Sequence, residues 1–329
     1  MYIAEMLSQA IVTAQDMPYK QGTEIFGHTY AYRTSIPAGN WRQLNQGVGY
    51  SKSTTGKASV GMASLEGYSQ VDRMLAEANP DGIDAFRTSE EVSFIEGFGQ
   101  TWEETLWYGN TNANPAEFIG LSIYYNTGDQ SLAQNAQNVI DGLGTGSDNA
   151  SMWLVGWGER SCYGAYPRGS KAGLVSEDKA DTVPAYDNLG NRYEAFTTWF
   201  RQQGTIAVED WREVVRIANL DVTASGLAGP DAADLFLLMS QAIMLPPAAG
   251  QGLSGISMTD APNNATPSTR YVWYMNRTLA FWLTAQSIRD RNVLLDPDAS
   301  AGRPWTSWRG LPIKISDRLL QTEEAVTGF

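Results

Sequence analysis

The chain has a single cysteine, Cys162, and a single histidine, His28. One thiol excludes an intrachain disulfide and a thiolate cluster, and one imidazole excludes a multi-histidine metal site. A nucleophilic triad fails at its base: His28 lies in the strand-like aromatic segment FGHTYAYRTSIP and no GxSxG elbow occurs, so it reads as a structural histidine. Long apolar runs are also missing. The most apolar stretch, Leu235 to Leu245, stops at Pro246-Pro247, short of the ~20 residues a bilayer span requires. The N-terminus MYIAEMLSQAIVTAQDMPYK lacks the basic start, long apolar centre and small-residue cleavage site of a signal peptide, and reads as an amphipathic arm on a soluble chain. Cations are scarce: 23 Lys and Arg face 36 Asp and Glu, for a net charge of −13. That balance opposes nonspecific nucleic-acid binding, because phosphate neutralisation needs clustered positive charge.

What the chain does have is a folded composition. Its 329 residues are 43% hydrophobic and 11% aromatic, with 32 Gly and 14 Pro, which fits a loop-rich globular chain and excludes disorder, collagen and coiled coil. The length suits about two domains. Charge is uneven. Arg270 to Phe329 carries 8 basic and 6 acidic residues, while residues 66–117 hold 11 Asp and Glu against only Arg73 and Arg87. The plain reading of that acidic stretch is a solvated helix face.

Along the chain, Phe26, Tyr30, Tyr32 and Ile36 mark a strand, and residues 37–64, with five Gly and many Ser and Thr, have too little apolar content for a core of their own. An irregular stretch that long is either a floppy insertion or an arm ordered against a neighbouring chain. From Asp81 to Asn110 the apolar spacing predicts a long helix: Val92, Ile95, Phe98, Trp102 and Leu106 stack on one face, with a kink or break allowed at Gly97 and Gly99. MWLVGWG (152–158), GTIAV (204–208) and EVVRIANLDV (213–222) read as strands, and AYDNLGNRYEAF (185–196) as a hairpin turning at Asp187 to Asn191. Gly229-Pro230 is expected to open a helix with Asp231 and Asp234 in its first turn, whose all-round hydrophobicity implies burial. The strand YVWYM precedes a helix capped at Asn276-Arg277-Thr278, with Leu279, Trp282 and Leu283 on one face. In RGLPIKIS, Leu311, Ile313 and Ile315 alternate with Pro312 and Lys314, and the proline predicts an edge strand.

Catalytic and cofactor motifs are mostly absent. Gly142 to Gly146 lacks the Lys-Ser/Thr of a phosphate loop and reads as a plain loop. Asp141, Asp148, Asp178 and Asp181 do not follow calcium-loop spacing. Glu90-Glu91 and Glu103-Glu104 are adjacent, so on a helix they diverge, yet paired carboxylates drawn from distant positions leave glycoside hydrolysis open. Trp102, Trp153, Trp157 and Trp282 sit in periodic apolar segments, where core is the default reading. The Asn276-Arg277-Thr278 sequon should be unmodified without secretion. No metal, cofactor or catalytic residue is expected. What remains is an N-terminal arm, a polar projection, a long acidic helix, a mixed α+β body and a C-terminal strand, a combination suited to a subunit that interlocks with its own copies.

The runs NQGVGYSKS (45–53), EEVSFIEGF (90–98), ETLWYGNTNANPAEFIGL (104–121), GTGSDNASMWLVGWG (144–158), YPRGSKAGL (166–174), DWREVVRIANLDV (210–222) and RGLPIKISDRLLQTEE (309–324) resemble major capsid proteins of tailed double-stranded-DNA bacteriophages. They are similar above all to the short-tailed group that includes epsilon 15. The resemblance covers most of the chain, from about residue 25 onward. It implies an α+β Hong Kong 97-like shell fold: an N-terminal arm (1–27), an extended loop (28–65), a peripheral domain with a spine helix (66–225), an axial domain (226–302), and a C-terminal strand returning to the peripheral domain (303–329). It implies hexameric and pentameric self-assembly into an icosahedral shell around the phage DNA, built in the host cytoplasm, with no membrane. A decoration or cement protein, a scaffolding protein and a portal would be the further partners. Trp41, Asn45, Tyr50, Lys52, Lys57, Arg270 and Arg277 become candidates for contacts between subunits. Some members crosslink a loop lysine to a neighbour's asparagine, but nothing here marks an acceptor for Lys52 or Lys57.

The competing reading is a carbohydrate-active or carbohydrate-binding protein using paired carboxylates and Trp or Tyr; a third is a phage tail or receptor-binding protein, which would more often show repeats. Charge also yields an expectation about the enclosed genome. A shell lining without strong cationic patches lets a polyanion slide rather than stick, so the isolated subunit should show no measurable binding to free DNA even at low salt. Tight low-salt binding in a gel-shift or anisotropy titration would refute this.

Overall fold

The computed structural model describes residues 12–35, 37–179, 182–223, 226–227, 232–246, 269–289, 295–298 and 303–329. Most of the expected N-terminal arm, Asp181, the Gly229-Pro230 helix opening with Asp231, Pro247, Arg291 and parts of the expected axial domain lie outside them. In chain order the first half carries β1 (Tyr19–Gln21), β2 (Gly27–Ser35), β3 (Thr54–Gly61), β4 (Ala63–Asp72), α1 (Arg73–Glu77), α2 (Ile83–Tyr108), α3 (Leu121–Tyr124), β5 (Val139–Asp141) and β6 (Asn149–Trp157). There follow β7 (Cys162–Tyr166), β8 (Leu174–Asp178), β9 (Val183–Tyr186), β10 (Arg192–Val208), β11 (Val214–Asp221) and α4 (Leu235–Met244). The last elements are β12 (Arg270–Met275), α5 (Arg277–Arg289), β13 (Leu295–Asp298), β14 (Arg303–Trp308) and β15 (Leu311–Ile315).

Among the described residues, 13 strands join in one sheet along the path β13-β14-β15-β12-β6-β7-β10-β4, with β11 on β6, β5 on β11, β1 on β7, and β8 and β9 on β10. β2 and β3 form a separate two-stranded ribbon. The middle of the large sheet is covered on both faces. Trp153, Val155 and Trp157 of β6, with Val272 and Tyr274 of β12, pack in one cluster with Ile95, Phe98, Trp102 and Leu106 of α2. Their alternates Met152, Leu154, Tyr271, Trp273 and Met275 pack in a second cluster with Leu235, Met239 and Ile243 of α4 and Leu279 and Leu283 of α5. Period-two alternation therefore feeds two cores, which is why MWLVGWG is apolar without a polar face.

The long helix is present and continuous through Gly97 and Gly99, spanning 26 residues, or about 39 Å at the α-helical rise. It ends where Thr105 O accepts from Gly109 N at 2.8 Å. Its aromatic stripe lies on β4 and β10 because two glycines on those strands leave room. A Cβ at Gly67 would come within 3.0 Å of the Phe98 ring, and one at Gly204 within 3.3 Å of the Trp102 indole. Phe94 stacks on Phe200 of β10, their ring centres 5.9 Å apart.

Several expectations need correction. GTIAV is the tail of the 17-residue β10, whose first part pairs with β4, β8 and β9 and whose end pairs with β7. The apolar helix begins after Asp234, whose side chain caps Leu237 N at 3.0 Å, and it is not buried all round: Leu237 and Met244 are exposed. β15 is no edge strand, since it lies between β14 and β12. The proline is tolerated because pairing with β12 starts one residue later, at Ile313. Ile315 accordingly reaches the surface. The Asp187 to Asn191 turn and the Asn276 cap, where Oδ1 accepts from Leu279 N at 2.8 Å, are as expected.

Trp102 is 4% exposed, and its ring lies 4.9 Å from that of Phe118. Trp102→Ala should cost about 3–5 kcal/mol, because the rigid β10 backbone at Gly204 cannot collapse into the space. Chemical denaturation of the variant checks this, and an unchanged midpoint would refute the packing assignment.

Candidate assembly surfaces

The β2–β3 ribbon stands apart from the large sheet. β2 and β3 pair antiparallel from Gly27 opposite Gly61 to Ser35 opposite Thr54, and the chain between them runs through a tip without helix or strand. Trp41 and Tyr50 are as exposed as in an extended peptide, and Leu44 nearly so. Asn45 adopts the left-handed conformation (φ 66°) that asparagine tolerates, and Gln43 O accepts from Gln46 N at 3.2 Å to turn the tip. Lys52 and Lys57 are exposed. Sequence reasoning passed over a further signal: no acidic residue occurs between Glu24 and Glu66, while Arg33, Arg42, Lys52 and Lys57 all do. On a chain of net charge −13 the ribbon is a cationic arm.

The structure separates the two arginines from that group and gives each a carboxylate partner within the chain. Arg277 pairs with Asp317, with Nη2 to Oδ2 at 2.7 Å. Arg270 lies 3.0 Å from Asp16, whose side chain is wholly buried and also meets Lys314 at 2.8 Å and the Tyr274 hydroxyl at 2.6 Å. Asp16 thus fastens the N-terminal segment across β12 and β15. Burial, with the Asp16 charge adding, raises the Tyr274 hydroxyl well above the ordinary tyrosine range.

The C-terminal segment is fastened in the same way. Glu323 lies 2.8 Å from the Arg216 guanidinium, both nearly inaccessible, and accepts from the Tyr108 hydroxyl at 2.5 Å and from Ser151. Arg216 also donates to Tyr125 O at 2.7 Å and to Ser151 Oγ at 3.0 Å, and its guanidinium sits 5.2 Å from the centre of the Trp153 ring. Nearby, an irregularity in β11 puts Asn219 at φ 56° and aims its side chain at the tail, where it accepts from Val326 N at 2.7 Å and donates to Val326 O at 2.9 Å. Glu103 on α2 accepts from Ser316 Oγ at 2.9 Å, and burial raises its carboxyl above the usual range. None of these partners is near another in sequence, so no periodicity signals them.

The carbohydrate reading loses its footing here. Glu103 is buried against Ser316 while Glu104 points to solvent, and Glu91 accepts from Thr198 at 2.8 Å while Glu90 is exposed. Among the described residues no three metal-ligating side chains converge, and no helix is long and apolar enough to cross a membrane.

A projecting arm, a long helix laid over a sheet, and terminal segments clasped onto that sheet are the parts implied by the resemblance to the Hong Kong 97-like shell subunits of tailed phages. The architecture matches a chain of the bacteriophage Epsilon15 structure with a TM-score of 0.71 and 26% identity, over 95% of this chain and 88% of that one. It also matches the bacteriophage JBD30 capsid, with a TM-score of 0.50 and 10% identity over 94% of this chain and 90% of that one. The same phage's capsid decorated with minor capsid protein trimers gives a TM-score of 0.50 and 12% identity, over 95% and 93%. No curated protein matches the chain. The chain belongs to the family of major capsid protein GP7, whose model matches residues 1–327. It is a structural, shell-forming protein, and its place is the virion capsid.

Glu323→Ala should destabilise the subunit by about 3–5 kcal/mol, because it strands a buried guanidinium that no solvent can reach. Thermal unfolding of the variant against the parent checks this. A loss near the ~1 kcal/mol of a surface pair would show that the clasp is solvated.

Proposed function

We propose that the ribbon and its tip, the extended loop of residues 28–65, reach onto a neighbouring copy of the chain and that this contact builds hexameric and pentameric capsomers of an icosahedral shell around double-stranded DNA. The carrying observation is the tip itself: Trp41, Leu44 and Tyr50 are held away from every core of their own chain. Trp41, Asn45, Tyr50, Lys52 and Lys57 supply the contact, with aromatic anchors for affinity and lysines for register. Arg270 and Arg277 keep part of their surface free beside their internal partners and extend the contact at the body. The body divides into a peripheral part (66–225) carrying the spine helix α2 and an axial part (226–302) toward the capsomer centre, with the 1–27 arm and the 303–329 tail clasping them. Scaffolding and portal proteins act in assembly. A decoration protein covers the finished shell, as minor capsid protein trimers do on the JBD30 capsid. The subunit performs no catalysis in this role and needs no cofactor.

Replacing residues 37–53 by a short turn tests the reading. The variant should fold with the parent's melting temperature, since the tip touches no core, and should yield no shells by negative-stain microscopy. Shells of normal size from the variant would overturn it.

A further inference from the structure

The ribbon joins the body through a small core separate from the two large ones, made of Val60 on β3, Tyr163 and Ala165 on β7 and Ala207 on β10, with Tyr30 and Met62 beside it. His28 is buried in this root. Its Nε2 lies 2.8 Å from the Tyr163 hydroxyl, which itself donates to Glu209 Oε2 at 3.2 Å. A hydroxyl has one proton, and Glu209 takes it. The hydroxyl oxygen therefore accepts from Nε2–H, the neutral imidazole keeps its lone pair on Nδ1, and Nδ1 is buried with no hydrogen-bond partner among the described residues.

The charged and titratable groups facing His28 come from every element around it. β1 contributes Lys20, whose ammonium sits 4.7 Å from the centre of the Tyr163 ring and donates to Glu159 O at 3.0 Å. β7 contributes Tyr163, with ring centres 5.6 Å apart; the chain after β10 contributes Glu209; and Tyr30 lies two residues along the same strand, its ring centre 6.0 Å away. β3 and β10 contribute the apolar Val60 and Ala207 to the same root core. A second proton would have to enter at Nδ1, where no acceptor waits and where Lys20 already supplies a positive charge. Glu209 is reached only through the Tyr163 hydroxyl. Burial, with Lys20 adding and Glu209 opposing, holds the imidazole below its ordinary range.

We propose that His28 is a pH-sensitive latch at the root of the arm: neutral, it fits the root and donates to Tyr163 on β7, and protonated at Nδ1 it places a buried positive charge beside Lys20 with no acceptor among the described residues, a charge that is relieved when the root opens to water and lets the arm swing. The sign follows from the depressed proton affinity. The latch is fully closed above the ordinary histidine value of about 6.5 and opens as pH falls through the lower value of the closed state. This device belongs to the single chain and does not depend on which surface receives the arm.

The test uses the full-length, unassembled chain. Because His28 is the only histidine, its imidazole proton resonance reports its titration without assignment. Hydrogen exchange at residues 28–32 and 58–61, normalised to the 214–218 strand, reports the root. Between about pH 7.5 and about pH 5, root protection should fall, with the loss beginning at ~6.5 and levelling off at the imidazole midpoint, which lies below ~6.5. His28→Gln, which can still donate to Tyr163 but cannot titrate, should keep its protection flat across that range. An imidazole midpoint at or above ~6.5, unchanged protection in the parent, or the same loss in His28→Gln would each overturn the latch. Should His28→Gln leave the root open at every pH, the parent decides: a protection loss that falls outside the interval between the imidazole midpoint and ~6.5 refutes the proposal.

Discussion

Everything in this subunit depends on a sheet with no wet face. β6, β11 and β12 place large side chains on both sides, and Trp153 and Trp273, on opposite faces, are each inaccessible. A sheet of that kind cannot exist until both faces are covered. The spine helix α2 covers one and α4 with α5 the other. Each fully buried large apolar side chain contributes about 1.5–3 kcal/mol, so the two clusters together dominate the stability and fix where the helices lie.

The chain ends are held by different physics. Asp16, Glu103 and Glu323 are carboxylates taken out of water, each with hydroxyl or cationic partners from distant parts of the chain. Such groups add little net stability compared with a well-packed apolar alternative, but breaking one is expensive because the partner is left unpaired. They therefore act as position markers. Asp16 permits one seating of the N-terminal segment on β12 and β15, and Glu323 with Asn219 permits one path of the tail over β11 and the end of α2.

The arm inverts both rules. Its strands pair only with each other, its tip exposes aromatic side chains, and its charges are all of one sign. Its root is tied to the body by the buried His28 and Tyr163 contact. A subunit that is over-determined in its body and under-determined in its arm can adopt one fold and still meet neighbours at slightly different angles, which closed shells built from one chain demand.

Much of this was legible in the residues. The 3-and-4 spacing of Ile95, Phe98, Trp102 and Leu106 specifies a helix and its buried face, because that spacing is a property of the local backbone. The composition of 37–64 specifies a projection without a core of its own, although the part from Thr54 is strand and Val60 at its root is buried against the body. The lone histidine excludes a histidine-based triad, while the acid pairs leave glycoside hydrolysis open in the sequence, because two carboxylates can come together from anywhere in the chain. What the sequence could not carry were the partners of buried polar groups. Arg216 meets Glu323, Asp16 meets Tyr274, and His28 meets Tyr163, each across more than a hundred residues, and side-chain chemistry alone cannot say which acid answers which base. The same limit explains the misjudged elements. Pro312 signals an edge, but only the order of strands in space puts β14 on one side and β12 on the other. The apolar run at Leu235 signals burial, but only the placement of the helix on the sheet decides that Leu237 and Met244 face outward. Periodicity is written by neighbours in sequence and is read there; pairing is decided by neighbours in space, which exist only once the sheet has closed between its two helical layers.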